Sequence, residues 1–116
     1  MSDCIFCKII KGEIPSRKVF EDDKSIAFYD INPKAPVHIL VLPKKHITSL
    51  IELKSEDKEL IGDIILLLKS VARKLRLDKS GYKVVVNNGA GSGQLVFHLH
   101  FHLLGGWQKS AGGWKV

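Results

Sequence analysis

No run of about 18 consecutive apolar residues occurs in the sequence, which excludes a hydrophobic membrane-spanning helix. The opening MSDCIFCKIIKGEIP carries no apolar stretch behind a basic start, so it does not read as a secretory signal. The expected location is the cytoplasm, with no membrane partner. Cysteine is scarce: Cys4 and Cys7 are the only two, and they stand in CIFC. That excludes a disulfide framework. The pair reads as half a zinc site, a redox pair or two small buried hydrophobes. Internal repeats, low-complexity tracts and linker-like stretches are absent, as is any block of five or six like charges. The net charge of +6 comes from dispersed lysines and arginines. A basic balance favours anionic ligands in general, but without a basic cluster or a binding motif no nucleic-acid partner is expected. With 45% apolar and 26% charged residues, the 116-residue chain has the composition and size of one globular domain, 1–116, with a C-terminal tail from about residue 107.

What is present is a clear succession of short elements. Asp3 is placed to cap a short helix over residues 4–11, ended by Gly12 with Pro15 beyond, whose apolar stripe is Ile5, Phe6, Ile9 and Ile10. Residues 18–31 read as two strands around an acidic turn at 21–24. Two prolines make 32–36 a loop. VHILVL (37–42) is nearly all apolar and reads as a central strand ended by Pro43. The longest helix is expected to begin at Ser55 with acids in its first turn, and Leu60, Ile61, Ile64, Ile65, Leu68, Val71, Ala72 and Leu75 recur at helical spacing. A strand over 82–87, a glycine loop over 88–93 and a strand over 95–104, broken by Gly105 and Gly106, complete the chain. Hairpin-like connections predict an α+β fold, an antiparallel sheet with the long helix on one face.

Three of the five histidines fall in FHLHFHLLGG, residues 97–106. In a strand of period two, Leu95, Phe97, Leu99, Phe101 and Leu103 share one face, the core, and His98, His100 and His102 share the other, about 6.8 Å apart. A polar sheet face is one reading of that row. A catalytic zinc site with three imidazoles and an open fourth position is another. The preceding NNGAGSGQ (87–94) has three glycines in five residues and could present backbone N–H groups to an anion. It is not a Walker loop, because no Gly-Lys-Ser/Thr follows. Phosphate beside imidazole is the arrangement for nucleophilic attack at phosphorus.

His98-Leu99-His100-Phe101-His102-Leu103-Leu104 resembles the histidine triad motif of a superfamily of nucleotide hydrolases and transferases. CIFCKIIKGEIPS, FEDD, AFYDINPKAPVHILVLPKKHI, VVNNG, GQ and HLLGG are similar to its Hint branch, the histidine triad nucleotide-binding proteins, over nearly the whole chain. The resemblance implies a five-stranded antiparallel sheet with a short N-terminal helix and one long helix. It also implies a homodimer joined into a continuous sheet, with Trp107 and Trp114 of the tail reaching the partner's site. It implies hydrolysis of purine nucleoside 5′-phosphoramidates, or related AMP-X compounds, through a nucleotidyl-histidine. His100 is then the nucleophile, oriented by the His98 carbonyl, and His102 and Asn87 assist at the phosphate. Gly93 and Gln94 lie at the phosphate loop, with His38 nearby. Phe6, Ile9, Phe28 and Ile31 sandwich the base and Asp30 accepts from the ribose hydroxyls. Cys4, Cys7, His46 and His98 would form a structural zinc site, and no organic cofactor is implied. Many Hint proteins have Ser or Thr where this chain has Leu95, which leaves a catalytically weak nucleotide-binding or scaffold protein as the alternative.

Overall fold

The computed structural model describes residues 4–108. The elements are α1 (Ile5–Ile10), β1 (Lys18–Glu21), β2 (Ser25–Tyr29), β3 (Val37–Pro43), α2 (Lys58–Lys74), β4 (Tyr82–Val85) and β5 (Phe101–Gly105), with single 3-10 turns at Leu50–Glu52, Ser55–Asp57 and Ala90–Ser92. The five strands form one sheet in the order β1-β2-β3-β5-β4. Every neighbouring pair is antiparallel. This is the expected α+β architecture, with VHILVL at its centre. Among the described residues no helix is long and apolar enough to cross a membrane.

Local chemistry explains the boundaries. Asp22 Oδ1 accepts from the N–H groups of Lys24 (2.9 Å) and Ser25 (2.8 Å), an Asx turn that closes the β1–β2 hairpin. Helix α1 is shorter than expected: Cys4, not Asp3, is its N-cap, and the Cys4 sulfur accepts from the Cys7 N–H. Asp3 lies outside the described residues. The long helix begins at Lys58 instead of Ser55, because Asp57 Oδ2 accepts from the Lys54 N–H at 3.0 Å and holds the preceding residues in a 3-10 turn. Pro43 is the last residue of β3, one residue beyond the expected 37–42.

The alternation of β3 divides the core. Ile39 and Val41 face α2 in a cluster with Ala27, Ile64, Leu68, Val71, Phe101 and Leu103. On the opposite face Leu40 and Leu42 pack with Ile26 and Phe28 beneath Phe6 and Ile9 of α1. Thus α2 covers one face of the sheet and α1 part of the other. Ile39 and Leu103 stand opposite each other across β3 and β5, both fully buried. Ile39→Ala leaves a cavity there and should cost about 3 kcal/mol in urea unfolding. A loss below about 1 kcal/mol would show that this pair does not anchor the sheet.

The chain leaves β5 through two glycines under tight constraint. A Cβ on Gly105 would lie 3.1 Å from the Leu77 methyl carbons. Gly106 has φ +87°, and a Cβ there would lie 3.1 Å from Val37 Cγ2 and 3.2 Å from Pro36 Cβ.

Candidate active site

The histidine segment is only half a strand. The β3–β5 ladder runs from Val37↔Gly105 to Val41↔Phe101 and stops. Two residues further along β3, Pro43 has no N–H to continue it. The Leu99 N–H instead donates to the Ile47 carbonyl at 2.6 Å, and the Gln94 side chain holds the Val96 carbonyl at 3.0 Å. The expected strand over 95–104 is therefore Phe101–Gly105 preceded by an irregular segment. Alternation survives from residue 98 onwards: Leu99, Phe101 and Leu103 enter the α2 core. It fails before that. Leu95 is 89% exposed and Phe97 48% exposed, because no neighbouring strand makes a core face for them.

His98, His100 and His102 differ in what they touch. The His100 Nδ1–H donates to the His98 carbonyl at 2.6 Å. That fixes the neutral tautomer and leaves the lone pair on Nε2, which makes no hydrogen bond among the described residues. His102 carries the opposite tautomer, set through His38. The backbone N–H of Lys34 donates to His38 Nδ1 at 3.0 Å. Neutral His38 must then hold its proton on Nε2, which lies 2.8 Å from His102 Nδ1 and 3.4 Å from Asp30 Oδ2. His102 Nδ1 accepts, so His102 Nε2 bears the hydrogen. The rings of His100 and His102, 5.0 Å apart, thus offer a lone pair and an N–H side by side.

All of these imidazoles are held neutral. Burial lowers the pKa of His100 below the usual histidine range, against the His98 carbonyl and Asp30, which raise it. Burial also brings His102 down to about 4, helped by His100, His38 and Lys34 and opposed by Asp30. His38 moves down for the same first cause, with Asp30 opposing and Lys34 and His100 adding. The unfolded chain therefore binds more protons than the folded one between about pH 4 and 6.5, so stability is lost as the pH falls through that interval. The urea midpoint should decline steadily from pH 6.5 to 4. A flat or rising midpoint would contradict the neutral assignment of His102 and His38.

A second cluster lies behind this face. Cys7 Sγ is 3.2 Å from His46 Nδ1, and both Cys4 Sγ and Cys7 Sγ are 3.5 Å from His98 Nδ1. The four donor atoms lie within 4.8 Å of one another. Ligand bonds of about 2.0–2.3 Å around a tetrahedral ion would separate the donors by about 3.3–3.8 Å, so the set fits a metal with little movement. The tautomer also fits. His98 Nε2–H donates to the Pro43 carbonyl at 2.8 Å, which turns the Nδ1 lone pair toward the sulfurs as a ligating histidine requires. Burial and the neighbouring Cys4 raise the Cys7 thiol to about 11, so without a cation it stays protonated. Asp30, His38 and His102 also lie close enough together to hold an ion. Their hydrogen bonds argue against it. With its Nδ1 occupied by a backbone N–H, His38 needs the proton on Nε2 that a metal would displace. The three-imidazole zinc site fails as well, since the His98 ring points into the cysteine cluster and not toward His100 and His102.

The remaining expected residues divide. Phe6, Ile9 and Phe28 are buried together on the α1 side of the sheet, and Phe6 meets His100 edge-on at 4.9 Å. Ile31 is 89% exposed and joins no core. Asp30, at the end of β2, is half-buried and accepts from the Asn32 N–H at 2.8 Å. The glycine loop departs from expectation. Its N–H groups at Gly89, Ser92, Gly93 and Gln94 all donate within the loop. The buried Gln94 gives its amide hydrogens to the carbonyls of Thr48 (2.7 Å) and Val96. The backbone N–H groups of Gly93 and Gln94 therefore shape the loop instead of pointing outward. Asn87 donates once, to Ser92 O at 2.9 Å, which leaves its second amide hydrogen. Trp107 is half-buried, and Trp114 lies outside the described residues. The partners that sequence reading missed are backbone groups: the Lys34 N–H and the carbonyls of Pro43, Ile47 and Thr48. Lys34 directly follows Pro33 and Pro43 is itself a proline, which is the hint the sequence offered.

A groove of 410 Å³ between α2 and the β1–β2 turn, lined by Phe20, Asp22, Asp63, Leu66 and Lys74 among others, contains no imidazole or thiol. The clustered imidazoles and thiols lie on the histidine side of the sheet instead. Residues 11–109 match the HIT domain family. An uncharacterized HIT-like protein of Synechococcus elongatus is 50% identical over 104 residues, 90% of each chain. A HIT family hydrolase from Clostridium thermocellum superposes with a TM-score of 0.91 at 44% identity, covering 95% of this chain and 96% of its own. A histidine triad nucleotide-binding protein from Candida albicans gives a TM-score of 0.80 at 41% identity, over 94% and 85% of the two chains.

Proposed function

The chain belongs to the HIT domain family, and from that premise we propose that it hydrolyses purine nucleoside 5′-phosphoramidates or related AMP-X compounds through a nucleotidyl-histidine. The observation that carries this reading is the pair of opposite tautomers, with a lone pair on His100 Nε2 beside an N–H on His102 Nε2. A solved relative is named a nucleotide-binding protein and another a hydrolase, which supports the class of substrate and reaction.

In the proposed reaction His100 Nε2 attacks the α-phosphorus and the bond from phosphorus to the leaving group breaks. The His100 ring becomes cationic as the new bond forms, and its short Nδ1–H bond to the His98 carbonyl strengthens with that charge. His102 Nε2–H stabilises the phosphoryl oxygens and supplies a proton to the departing amine. The proton lost from His102 is returned by the water of the second step, while His38 Nε2–H, with Asp30 beside it, holds the His102 ring in register. Water then cleaves the phosphorus–nitrogen bond of the intermediate and releases the monophosphate. Asn87 donates its second amide hydrogen to phosphate, and the loop shaped by Gly93 and Gln94 borders it. Phe6, Ile9, Phe28 and Ile31 line the base, and Asp30 accepts from the ribose. Cys4, Cys7, His46 and His98 hold a structural zinc ion that pins α1 to the sheet and takes no part in the chemistry.

The protein acts as a homodimer in this reading. Strand β4 is a sheet edge with Tyr82 and Val84 exposed, which suits pairing with a second copy. Leu95, standing where many Hint proteins carry Ser or Thr, supports the other reading, a weak catalyst that serves chiefly as a nucleotide-binding scaffold. Incubation with an adenosine 5′-phosphoramidate, followed by rapid acid quench and peptide mass spectrometry, separates the two. A nucleotidyl adduct on His100 with release of AMP is expected. Bound nucleotide without turnover would establish the scaffold, and an adduct on another residue would overturn the mechanism.

A further inference from the structure

We infer that a metal at Cys4, Cys7, His46 and His98 and a nucleotide at the imidazole face bind with positive linkage, each tightening the other. The two sites share His98 and one turn of α1. The inference rests on reading the imidazole face as a nucleotide site, and it adds to that reading a thermodynamic connection between two ligands.

The first route runs through His98. Its ring is fully buried, with Nδ1 at 3.5 Å from both sulfurs and Nε2 tied to Pro43. Its carbonyl accepts from His100 Nδ1 at 2.6 Å. Ring and carbonyl belong to one residue, so anchoring the ring of His98 on both nitrogens restrains the backbone that carries the acceptor of His100 Nδ1–H. The second route runs through Phe6. Cys4 and Cys7 bracket it in CIFC, and its ring sits edge-on to His100 at 4.9 Å and to Phe28 at 5.7 Å. Helix α1 has six residues. A helix that short does not hold itself in water, so its position depends on its anchors. On one side these are Phe6 and Ile9, and on the other the two thiols. A cation drawing the sulfurs toward His46 and His98 completes the anchoring, and Phe6 is then already placed against His100 when the nucleotide arrives. The metal's share is preorganisation alone.

Linkage is reciprocal, so either ligand reports it. The purified protein is titrated with Zn²⁺ against a competing chelator, with and without saturating AMP, and calorimetry establishes AMP binding separately. AMP is expected to tighten Zn²⁺ about 5-fold or more, with Zn²⁺ tightening AMP by the same factor. Unchanged or weakened Zn²⁺ affinity in the presence of bound AMP overturns the linkage and leaves the functional reading standing. Absence of AMP binding counts against the functional reading instead. The coupling is then decided by the ring nitrogens of His100, observed by ¹⁵N NMR with and without Zn²⁺. A fall in the Nδ1-protonated population on removing Zn²⁺ supports it, and identical spectra overturn it. Circular dichroism monitors folding throughout. Should the stripped chain unfold, exchange of Zn²⁺ for the larger Cd²⁺ gives the same comparison in the folded protein.

Discussion

His100→Ala is expected to lower AMP release from an adenosine 5′-phosphoramidate by at least about 10³-fold, measured as steady-state kcat. The covalent intermediate vanishes with the nucleophile, so the variant should also lack any nucleotidyl adduct. Its fold should persist, because His100 is held by a carbonyl and an aromatic edge and carries no strand pairing. His102→Ala should be milder, about 10²-fold, since it removes a proton donor and leaves the attacking nitrogen in place. A His100→Ala protein that retains a tenth of the parent rate would refute nucleophilic catalysis at this position.

Removal of zinc is expected to have the largest effect on stability. A ligand at about 1,000 times its dissociation constant contributes about 4 kcal/mol to the folded state. For a domain of this size that corresponds to a fall of about 15 °C in Tm on stripping the ion. Cys4→Ser should produce a comparable fall with native far-ultraviolet circular dichroism at low temperature. Scanning calorimetry with and without chelator measures the first, and metal analysis of the purified protein stands beside it. Identical transitions together with less than one zinc per ten chains would remove the ion from the account.

Much of this architecture was legible in the residues. Ile64, Leu68, Val71 and Ala72 repeat at helical spacing, and all four are buried in α2. VHILVL, His38 apart, is apolar on both faces because α2 covers one side and α1 part of the other, as a central strand requires. The histidine row was legible as three imidazoles sharing a face, but its reach as a strand was not. Period two assumes a partner on each side, and Pro43 removes that partner two residues beyond Val41. Leu95 and Phe97 were assigned to a core that the ladder never reaches. The glycine loop was legible only in part, for a related reason. Glycine content reveals backbone freedom, whereas where the N–H groups point depends on the turn, and Gly89, Ser92, Gly93 and Gln94 bond among themselves. The tautomer of His100 was expected from the His98 carbonyl, but those of His102 and His98 were out of reach: they hang on the Lys34 N–H and the Pro43 carbonyl, and backbone groups have no letter in the sequence.

The double glycine that closes HLLGG has a consequence beyond ending a strand. Val37, which a side chain at position 106 would strike, is the residue immediately before His38. The collar through which the chain leaves the sheet and the imidazole that decides where His102 keeps its proton therefore belong to adjacent residues of β3. Bulk added at that exit is expected to disturb acid–base poise as well as tail geometry.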